Sequence, residues 1–400
     1  MNYNGFSFQS FRRIFKWNTM IERANRIKNI EEYYFSKKLK EVSSLEKDGR
    51  PIINMGIGSP DLYPDKLVID ALKESLSHPR SSMYQSYQGL PDLRKAIADF
   101  YKNNYNVNID YTSEVLPLMG SKEGIMHVSM AFLNKGDKVL IPNPGYPTYT
   151  SVTKILEAEP VYYNLVEEKK WQPDWDYLDS IDSNKIKLMW LNYPNMPTGA
   201  KADINTFDRL IEWARSRKII LVNDNPYSFI LNDFPESILS RNGAFEVCLE
   251  LNSLSKSFNM AGWRVGMLLG NNKFIKDVVK IKSNMDSGMF YGIQKGAIAS
   301  LKLKNKWFKS LNEIYFKRRE KVFELANKLN TSFDRNTSGL FVWAKLHEKV
   351  ESSEKFIDKI LYNHNIFITP GSIFGSNGDR FIRLSLCTEE KLIEEAIKRL

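Results

Sequence analysis

The fold class can be read most directly from residues 185–224, KIKLMWLNYPNMPTGAKADINTFDRLIEWARSRKIILVND. An apolar run at 185–194 predicts a strand, an amphipathic stretch at 202–217 predicts a helix, and a second apolar run at 218–224 predicts another strand. Strands that alternate with helices form a mostly parallel sheet with helices on both faces. This region therefore predicts an α/β protein.

The same alternation continues on both sides of this unit. Ligands of such sheets bind beyond the carboxyl ends of the strands, so the loops that follow the strands are the informative ones. Further strands are predicted at 114–120, 137–142, 160–165, 245–252 and 264–271. The loops to inspect lie at Gly120, Pro142, Tyr193, Asp224 and Leu254.

The pattern changes after about Lys282, where one long helical region at 294–329 is followed by strands and helices of a smaller α+β domain. We predict that residues 20–58 form an N-terminal helix and arm that pack with this small domain. Residues 59–290 form the large domain, and residues 291–400 form the small domain. Residues 1–19 are aromatic and basic without an acidic residue, and they make a poor secretory signal. We expect them to be a start-site extension, or else a disordered or loosely docked arm.

Composition restricts the class of protein. The net charge is +10, but the lysines are scattered beside acidic residues, which favours a solvated basic surface over a nucleic-acid site. No apolar run is long enough for a transmembrane helix, so we expect no membrane partner. Two cysteines and four histidines show no disulfide framework and no metal spacing. These features predict a cytoplasmic protein without a metal site.

The segment SLSKSFNMAGWRVG, residues 253–266, carries the most informative chemistry. Lys256 lies three residues after Ser253 and eight before Arg264, so a reactive amine and two anion-binding groups can share one pocket. A lysine forms a Schiff base when burial or neighbouring cations disfavour its charge. A lone lysine in a polar loop is more often a solvated surface residue, so its partners decide the interpretation.

Several other loops supply such partners. Ser121 and Lys122 follow Gly120 at a predicted helix start, where backbone N–H groups can cradle a phosphate. Asp224 ends a strand, either as a site residue or as a helix cap, and Tyr227 follows three residues later. The proline-fixed turn 142–147 presents Tyr146 for stacking on a flat ring. Arg383 lies in an apolar strand, where a carboxylate partner is expected from the protein or from a ligand.

Together these motifs resemble the class I/II aminotransferases, the pyridoxal-phosphate enzymes of fold type I in the aspartate aminotransferase superfamily. The resemblance runs from about Asn25 to the end of the chain. It implies a large domain with a mostly parallel seven-stranded sheet flanked by helices, a smaller α+β domain, and pyridoxal 5′-phosphate as cofactor.

The resemblance also implies a role for each candidate residue. Lys256 matches the Schiff-base lysine, and Ser253 and Arg264 match phosphate ligands. Ser121 and Lys122 match the residues at the start of the phosphate-cradling helix.

Other positions match the groups around the cofactor ring and the substrate. Tyr146 matches the stacking aromatic residue, Asp224 the partner of the pyridine nitrogen, and Tyr227 the donor to the 3-hydroxyl. Arg383 matches the arginine that grips the substrate α-carboxylate, and Gly58 matches the glycine of the substrate-side loop.

Two further positions concern the subunit interface and a departure from the family. Tyr84 matches a tyrosine given to the phosphate site of the neighbouring subunit, which implies a homodimer with active sites at the interface. The family usually has Asn immediately before Pro-Thr-Gly, where this chain has Met196. A thioether is a poor hydrogen-bond acceptor and cannot donate. The resemblance does not assign the lost role to Asn195.

The implied activity is transfer of an amino group from an L-amino acid to a 2-oxo acid through a Schiff base on Lys256, with Asp224 and Tyr227 as the other catalytic residues. One alternative is a carbon–sulfur β-lyase that uses the same cofactor. Another is a non-catalytic sensor built on the same fold. The identity of the amino acid and oxo acid does not follow from the sequence.

Overall fold

A computed structural model describes residues 22–400 except 29, 31 and 33, so the predicted extension at 1–19 lies outside the described residues. The strands, in chain order, are β1 Ile53–Asn54, β2 Val115–Leu118, β3 Lys138–Asn143, β4 Glu159–Asn164, β5 Ile186–Leu191, β6 Ile220–Asp224, β7 Cys248–Ser253, β8 Gly266–Gly270, β9 Thr331–Phe333, β10 Phe341–Leu346, β11 Ile366–Phe367, β12 Thr369–Pro370 and β13 Phe381–Ser385.

The helices surround these strands. They are α1 Asn25–Lys28, α2 Tyr34–Lys47, α3 Lys66–Ser75, α4 Pro91–Tyr105, α5 Ser121–Phe132, α6 Pro147–Ile155, α7 Trp175–Ser180, α8 Thr206–Arg217, α9 Ala244–Val247, α10 Leu254–Ser257, α11 Asn272–Lys282, α12 Tyr291–Leu301, α13 Asn305–Lys328, α14 Ser353–His364 and α15 Glu390–Arg399. In the described part of the chain, no helix is both long enough and apolar enough to cross a membrane.

The central sheet has seven strands within the described residues, in the order β2-β8-β7-β6-β5-β3-β4. Strand β8 runs antiparallel to both of its neighbours, and the other adjacent pairs are parallel. Helices cover both faces, so strands β5 to β7 are buried almost throughout. The predicted α/β class and the mostly parallel seven-stranded sheet are confirmed.

Two predicted elements differ from the structure. The predicted strand at 245–252 begins only at Cys248, because Ala244–Val247 form a short helix. A short apolar run does not by itself distinguish helix from strand. The single helix predicted over 294–329 is split between α12 and α13. Helix α12 packs on the core of the large sheet, whereas α13, after Phe308, packs on a second core from Leu311 onward.

The second core belongs to a smaller sheet with the order β12-β13-β10-β9, in which all adjacent strands are antiparallel. Helices α13, α14 and α15 pack against it, so a smaller α+β domain is present. Phe35 and Met55 from the N-terminal segment join this core. The domain boundaries at 58–59 and 290–291 stay predictions.

The direction of the strands determines where a site can form. Strands β2, β3, β5, β6 and β7 all run the same way, so their carboxyl ends lie at one edge of the sheet. The loops that begin at these ends therefore meet at that edge.

Candidate active site

A cavity of about 380 Å³ lies at the carboxyl edge of the central sheet. The predicted site residues that line it are Gly58, Ser121, Lys122, Tyr146, Asp224, Tyr227, Ser253, Lys256, Arg264 and Arg383. Tyr84 does not line it, because its side chain is 89% exposed on the surface of the subunit. The structure thus brings together residues from five strand ends, from the loop after β1 and from β13.

Lys256 lies on α10, a single helical turn that follows β7 directly. Its Nζ donates a hydrogen bond to the carbonyl oxygen of Gly58 at 2.5 Å. Burial lowers the pKa of the Lys256 amine, and the nearby guanidinium groups of Arg383 and Arg264 lower it further. A lysine amine in such surroundings is more readily neutral and nucleophilic.

An anion-binding corner lies beside this lysine. Gly120 has a φ of +88°, and a Cβ there would lie 2.1 Å from Nη2 of Arg264. A Cβ at Gly266 would lie 2.6 Å from the backbone nitrogen of Ser121. The two glycines therefore let a guanidinium and the start of α5 approach closely. Because the N-terminus of a helix carries positive partial charge, this corner suits a phosphate.

Ser253 is the N-cap residue of α10. Its Oγ accepts a hydrogen bond from the backbone N–H of Ser255 at 3.1 Å and lies 2.7 Å from Oγ of Ser255. Ser255 also lines the pocket, although the sequence did not single it out. Two hydroxyl groups therefore line the same pocket as Arg264.

Asp224 ends β6, is 5% exposed, and lines the pocket. Its Oδ2 accepts a hydrogen bond from Oη of Tyr149 at 2.9 Å, whereas its buried Oδ1 has no hydrogen-bond partner among the described residues. Burial raises the pKa of Asp224 to about 7, although the hydrogen bond from Tyr149 acts in the opposite direction. An open buried carboxylate oxygen calls for a donor or a cation from a ligand.

Aromatic side chains surround this carboxylate. Tyr149 stacks on Trp190 with ring centroids 4.8 Å apart. The ring of Tyr146 meets Tyr149 edge to face at 5.6 Å, and Tyr227 meets Phe341 in the same way at 6.1 Å. Aromatic side chains in the lining of the pocket, such as Tyr146, Tyr227 and Phe341, are suited to an aromatic ligand ring.

Arg383 projects from β13 at the far end of the pocket. Its Nη2 donates to the carbonyl oxygen of Gly56 at 2.8 Å, and its Nη1 lies 3.3 Å from Sδ of Met196. The guanidinium carbon lies over the ring of Phe341 at 3.9 Å. Backbone and aromatic contacts of this kind hold a guanidinium in place while it binds a carboxylate.

The loop that carries Met196 is organised by two asparagines. Asn192 accepts from the backbone N–H of Met196 at 2.7 Å and donates to the carbonyl oxygen of Asp224 at 2.5 Å. Oδ1 of Asn195 instead accepts from Oγ1 of Thr198 at 2.8 Å, within its own turn. The pocket is lined by Asn192 and Met196 and not by Asn195.

Sequence reasoning missed several residues of the pocket, including Tyr149, Asn192, Phe35 and Phe341. Tyr149 had a detectable signal, because it lies three residues after Tyr146, in the first turn of α6. Phe35 and Phe341 had none, since only tertiary packing brings them to the pocket.

A second group of polar side chains lies behind the start of α5. Glu123, His127 and Asp286 place potential metal-binding atoms within 4.8 Å of one another. However, the ammonium of Lys282 donates to Asp286 at 2.5 Å and supplies a positive charge. This arrangement favours an internal ion-pair cluster, and the predicted lack of a metal site stays a prediction.

The pocket fits pyridoxal phosphate on three observations. The glycine-lined corner brings Arg264 close to the start of α5 and so suits a phosphate, the open oxygen of Asp224 matches a protonated ring nitrogen, and Lys256 offers an amine to a carbonyl carbon. The donor and acceptor chemistry of all three agrees with this cofactor.

Residues 50–400 match the model of the family "Aminotransferase class I and II". The chain is 38% identical to the LL-diaminopimelate aminotransferase of Halothermothrix orenii, over 95% of this chain and 98% of the relative. It is 35% identical to the enzyme of the same name from Aquifex aeolicus, over 95% and 99%.

Solved structures agree with these relatives. The substrate-bound structure of BacF from Bacillus subtilis has a TM-score of 0.91 and 35% identity, and it covers 95% of this chain and 97% of that chain. An aminotransferase from Staphylococcus aureus has a TM-score of 0.86 and 32% identity, covering 94% and 98%. The chain therefore belongs to the class I and II aminotransferases and is an amino-acid aminotransferase that uses pyridoxal phosphate.

Proposed function

We propose that Lys256, Asp224 and Tyr227 are the catalytic residues with which this enzyme moves an amino group from an L-amino acid to a 2-oxo acid. The observation that carries this proposal is the meeting of three features in one pocket: the Lys256 amine with its lowered pKa, the open oxygen of Asp224, and the anion corner at Arg264.

The cofactor would be held at three points. Ser121, Lys122, Ser253 and Arg264 would hold its phosphate, Tyr146 would lie against its ring, and Asp224 would keep the ring nitrogen protonated. When bound, pyridoxal phosphate supplies an electron-poor ring that makes the Cα–H bond of an amino acid acidic.

Lys256 has two tasks in this arrangement. Its neutral amine would bind the cofactor at the carbonyl carbon, and when free it would act as general base for the proton on the substrate Cα and as general acid that delivers this proton to the carbonyl carbon of the cofactor. Burial favours the neutral amine, since the low dielectric disfavours the ammonium. The hydroxyl of Tyr227 would donate to the phenolic oxygen of the cofactor.

Arg383 would bind the α-carboxylate of the substrate through paired hydrogen bonds. Gly58 makes room beside it, because a Cβ at this position would lie 2.1 Å from the ring of Phe341. The carbonyl of Gly58 also accepts the hydrogen bond from Lys256, so this loop ties the substrate end of the pocket to the lysine.

We propose a homodimer in which Tyr84 reaches the phosphate corner of the partner. Tyr63, Leu67, Met83 and Tyr84 are all exposed apolar or aromatic side chains within one segment of the chain, residues 63–84. An accumulation of such residues favours a protein interface. A Tyr84→Phe change should weaken cofactor binding without changing the sedimentation coefficient of the dimer. A monomeric wild-type enzyme would contradict the proposal.

We also propose a cytoplasmic location. Cys248 and Cys387 are both free thiols, and a thiol-bearing chain without disulfides suits a reducing compartment. Fractionation of the native host would test this.

The test of the catalytic proposal is Lys256→Ala, assayed by the oxo acid formed from amino acid and 2-oxo acid. Turnover should be lost while the cofactor still binds without a covalent bond. Lys276→Ala, at an exposed position on α11, is the matched control and should behave as wild type. Retained turnover in the Lys256 variant would overturn the assignment. Thiol and pyruvate released without an amino acceptor would instead support a β-lyase.

A further inference from the structure

The pocket has a second wall opposite the carboxyl edge of the sheet, and the proposed chemistry does not use most of it. We call it the apolar wall; its members are Phe35, Leu39, Ile57, Met196 and Phe341. These side chains come from α2, from the loop after β1, from the loop after β5 and from β10.

The apolar wall begins where the substrate carboxylate is expected to bind. The guanidinium of Arg383 lies 3.9 Å from the ring centre of Phe341, 4.8 Å from that of Phe374 and 5.4 Å from that of Phe35. Sδ of Met196 lies 3.3 Å from Nη1 of the same arginine. A substrate held by its α-carboxylate at Arg383 therefore places its side chain close to aromatic rings and a thioether.

Helix α2 holds its part of the wall in a defined position. Phe35 and Leu39 are four residues apart and so share one face of the helix. On the same helix, Lys38 forms a salt bridge of 2.6 Å with Asp358 of α14, and Glu41 accepts from Tyr362 of α14 at 2.6 Å. Leu39 remains 37% exposed, so a bound apolar group can still cover part of it.

The charged side chains of the pocket already have partners in the proposed chemistry. Among the described lining residues the charged ones are Lys122, Asp224, Lys256, Arg264 and Arg383. Four serve the cofactor and one serves the α-carboxylate, so the lining supplied by the described residues of this subunit has no additional cation for a second carboxylate. Desolvating such a carboxylate against the apolar wall is unfavourable.

We infer that this enzyme acts on L-amino acids with an apolar side chain, aliphatic or aromatic, and that Phe35 and Leu39 determine this specificity. The inference rests on the proposed function of the same pocket. It separates this chain from the substrate for which the diaminopimelate aminotransferases are named, because the side chain of diaminopimelate ends in an ammonium and a second carboxylate.

The first experiment measures kcat/KM of the holoenzyme for leucine, methionine and phenylalanine against glutamate, aspartate and LL-diaminopimelate. The apolar group should be favoured by roughly 10–200-fold, the discrimination available to an apolar pocket. Competitive inhibition by 3-phenylpropionate and glutarate gives a readout independent of turnover, and 3-phenylpropionate should have the lower inhibition constant. A preference for glutamate or diaminopimelate would overturn the inference.

The second experiment uses Leu39→Lys, which adds a cation at a partly exposed position where folding is not at risk. Its kcat/KM should shift by roughly tenfold toward dicarboxylates, since one charge-assisted hydrogen bond to the second carboxylate contributes on this scale. Leu392→Lys is the matched control, because Leu392 is a 40% exposed leucine on α15, outside the pocket. An unchanged ratio in the Leu39 variant contradicts the role of the apolar wall.

The two proposals fail in different ways. If no amino acid yields an oxo acid, the proposed catalytic function fails. If oxo acids form but dicarboxylates are preferred, only the inferred substrate class fails.

Discussion

Two buried carboxylates on neighbouring strands show how a site residue differs from a structural one. Asp224 ends β6 and Glu250 lies in β7, and burial raises the pKa of both. Glu250 is 0% exposed and accepts four hydrogen bonds. Its donors are Oη of Tyr101, Oγ of Ser237, Nδ2 of Asn223 and the backbone N–H of Ile238.

Asp224 has a single donor in Tyr149 and keeps Oδ1 open within the described residues. The two groups have similar chemistry and burial, and they differ in whether the protein satisfies them. A fully satisfied carboxylate stabilises the fold, whereas an open one is completed by a ligand. The open oxygen is thus a better marker of function than burial or a raised pKa.

The largest expected effect is that of Asp224→Asn on catalysis. The change keeps the shape of the side chain but removes the negative charge that faces the cofactor ring. We expect kcat to fall by roughly 10²–10³-fold, the scale for losing one preorganised electrostatic contact. Single-turnover rates measure this effect, and a loss below fivefold would mean that the open oxygen has no catalytic part.

Glu250→Ala should lower stability rather than catalysis, in contrast to Asp224→Asn. It leaves four buried donors without an acceptor, so we expect the free energy of unfolding to fall by about 3–5 kcal/mol. Denaturant titration measures this loss. The kcat per folded molecule should stay within a few-fold of wild type, and a drop like that of Asp224→Asn would erase the distinction between the two carboxylates.

In the cofactor-free enzyme, the raised pKa of Asp224 should make the free energy of unfolding depend on pH. The folded pKa of Asp224, about 7, lies above its ordinary value of 3.8, so the fold prefers the protonated form. The stability that protonated Asp224 gives to the fold is complete below about pH 4 and is lost as the pH rises through 7. Relative to Asp224→Asn, wild type should therefore lose about 2–4 kcal/mol between pH 4 and pH 8. Denaturant titrations of both proteins at several pH values test this; a constant difference would contradict it.

Much of the site could be predicted because it lies at strand ends. Asp224, Ser253 and Lys256 each follow an apolar run, and parallel strands bring such positions to one edge. The open oxygen of Asp224 could not be predicted, because it depends on which donors packing brings near. The same holds for Phe35, which reaches Arg383 only through the docking of α2 on the small domain. Tyr84 stays a prediction, since its proposed partner is on another subunit.

The smallest expected effects come from removing one donor at each carboxylate. Tyr149→Phe should lower kcat about fivefold and raise the pKa of Asp224 further, because a hydrogen bond to the charged form is lost. Ser237→Ala should lower stability by about 1 kcal/mol and leave kcat unchanged. Steady-state kinetics measures kcat and thermal unfolding measures stability for both variants. Equal effects of the two changes on kcat would contradict this prediction.

The attachment of α2 has a consequence for how substrate range can change over time. Its two wall residues are more than 180 positions before the strand ends that carry Asp224 and Lys256. It is fastened to α14 by polar links such as Lys38 to Asp358. Substitutions on α2 can therefore alter which side chains are accepted without displacing the groups that bind the cofactor. An inherited catalytic centre can in this way be redirected to new amino acids by changes in one short, peripheral helix.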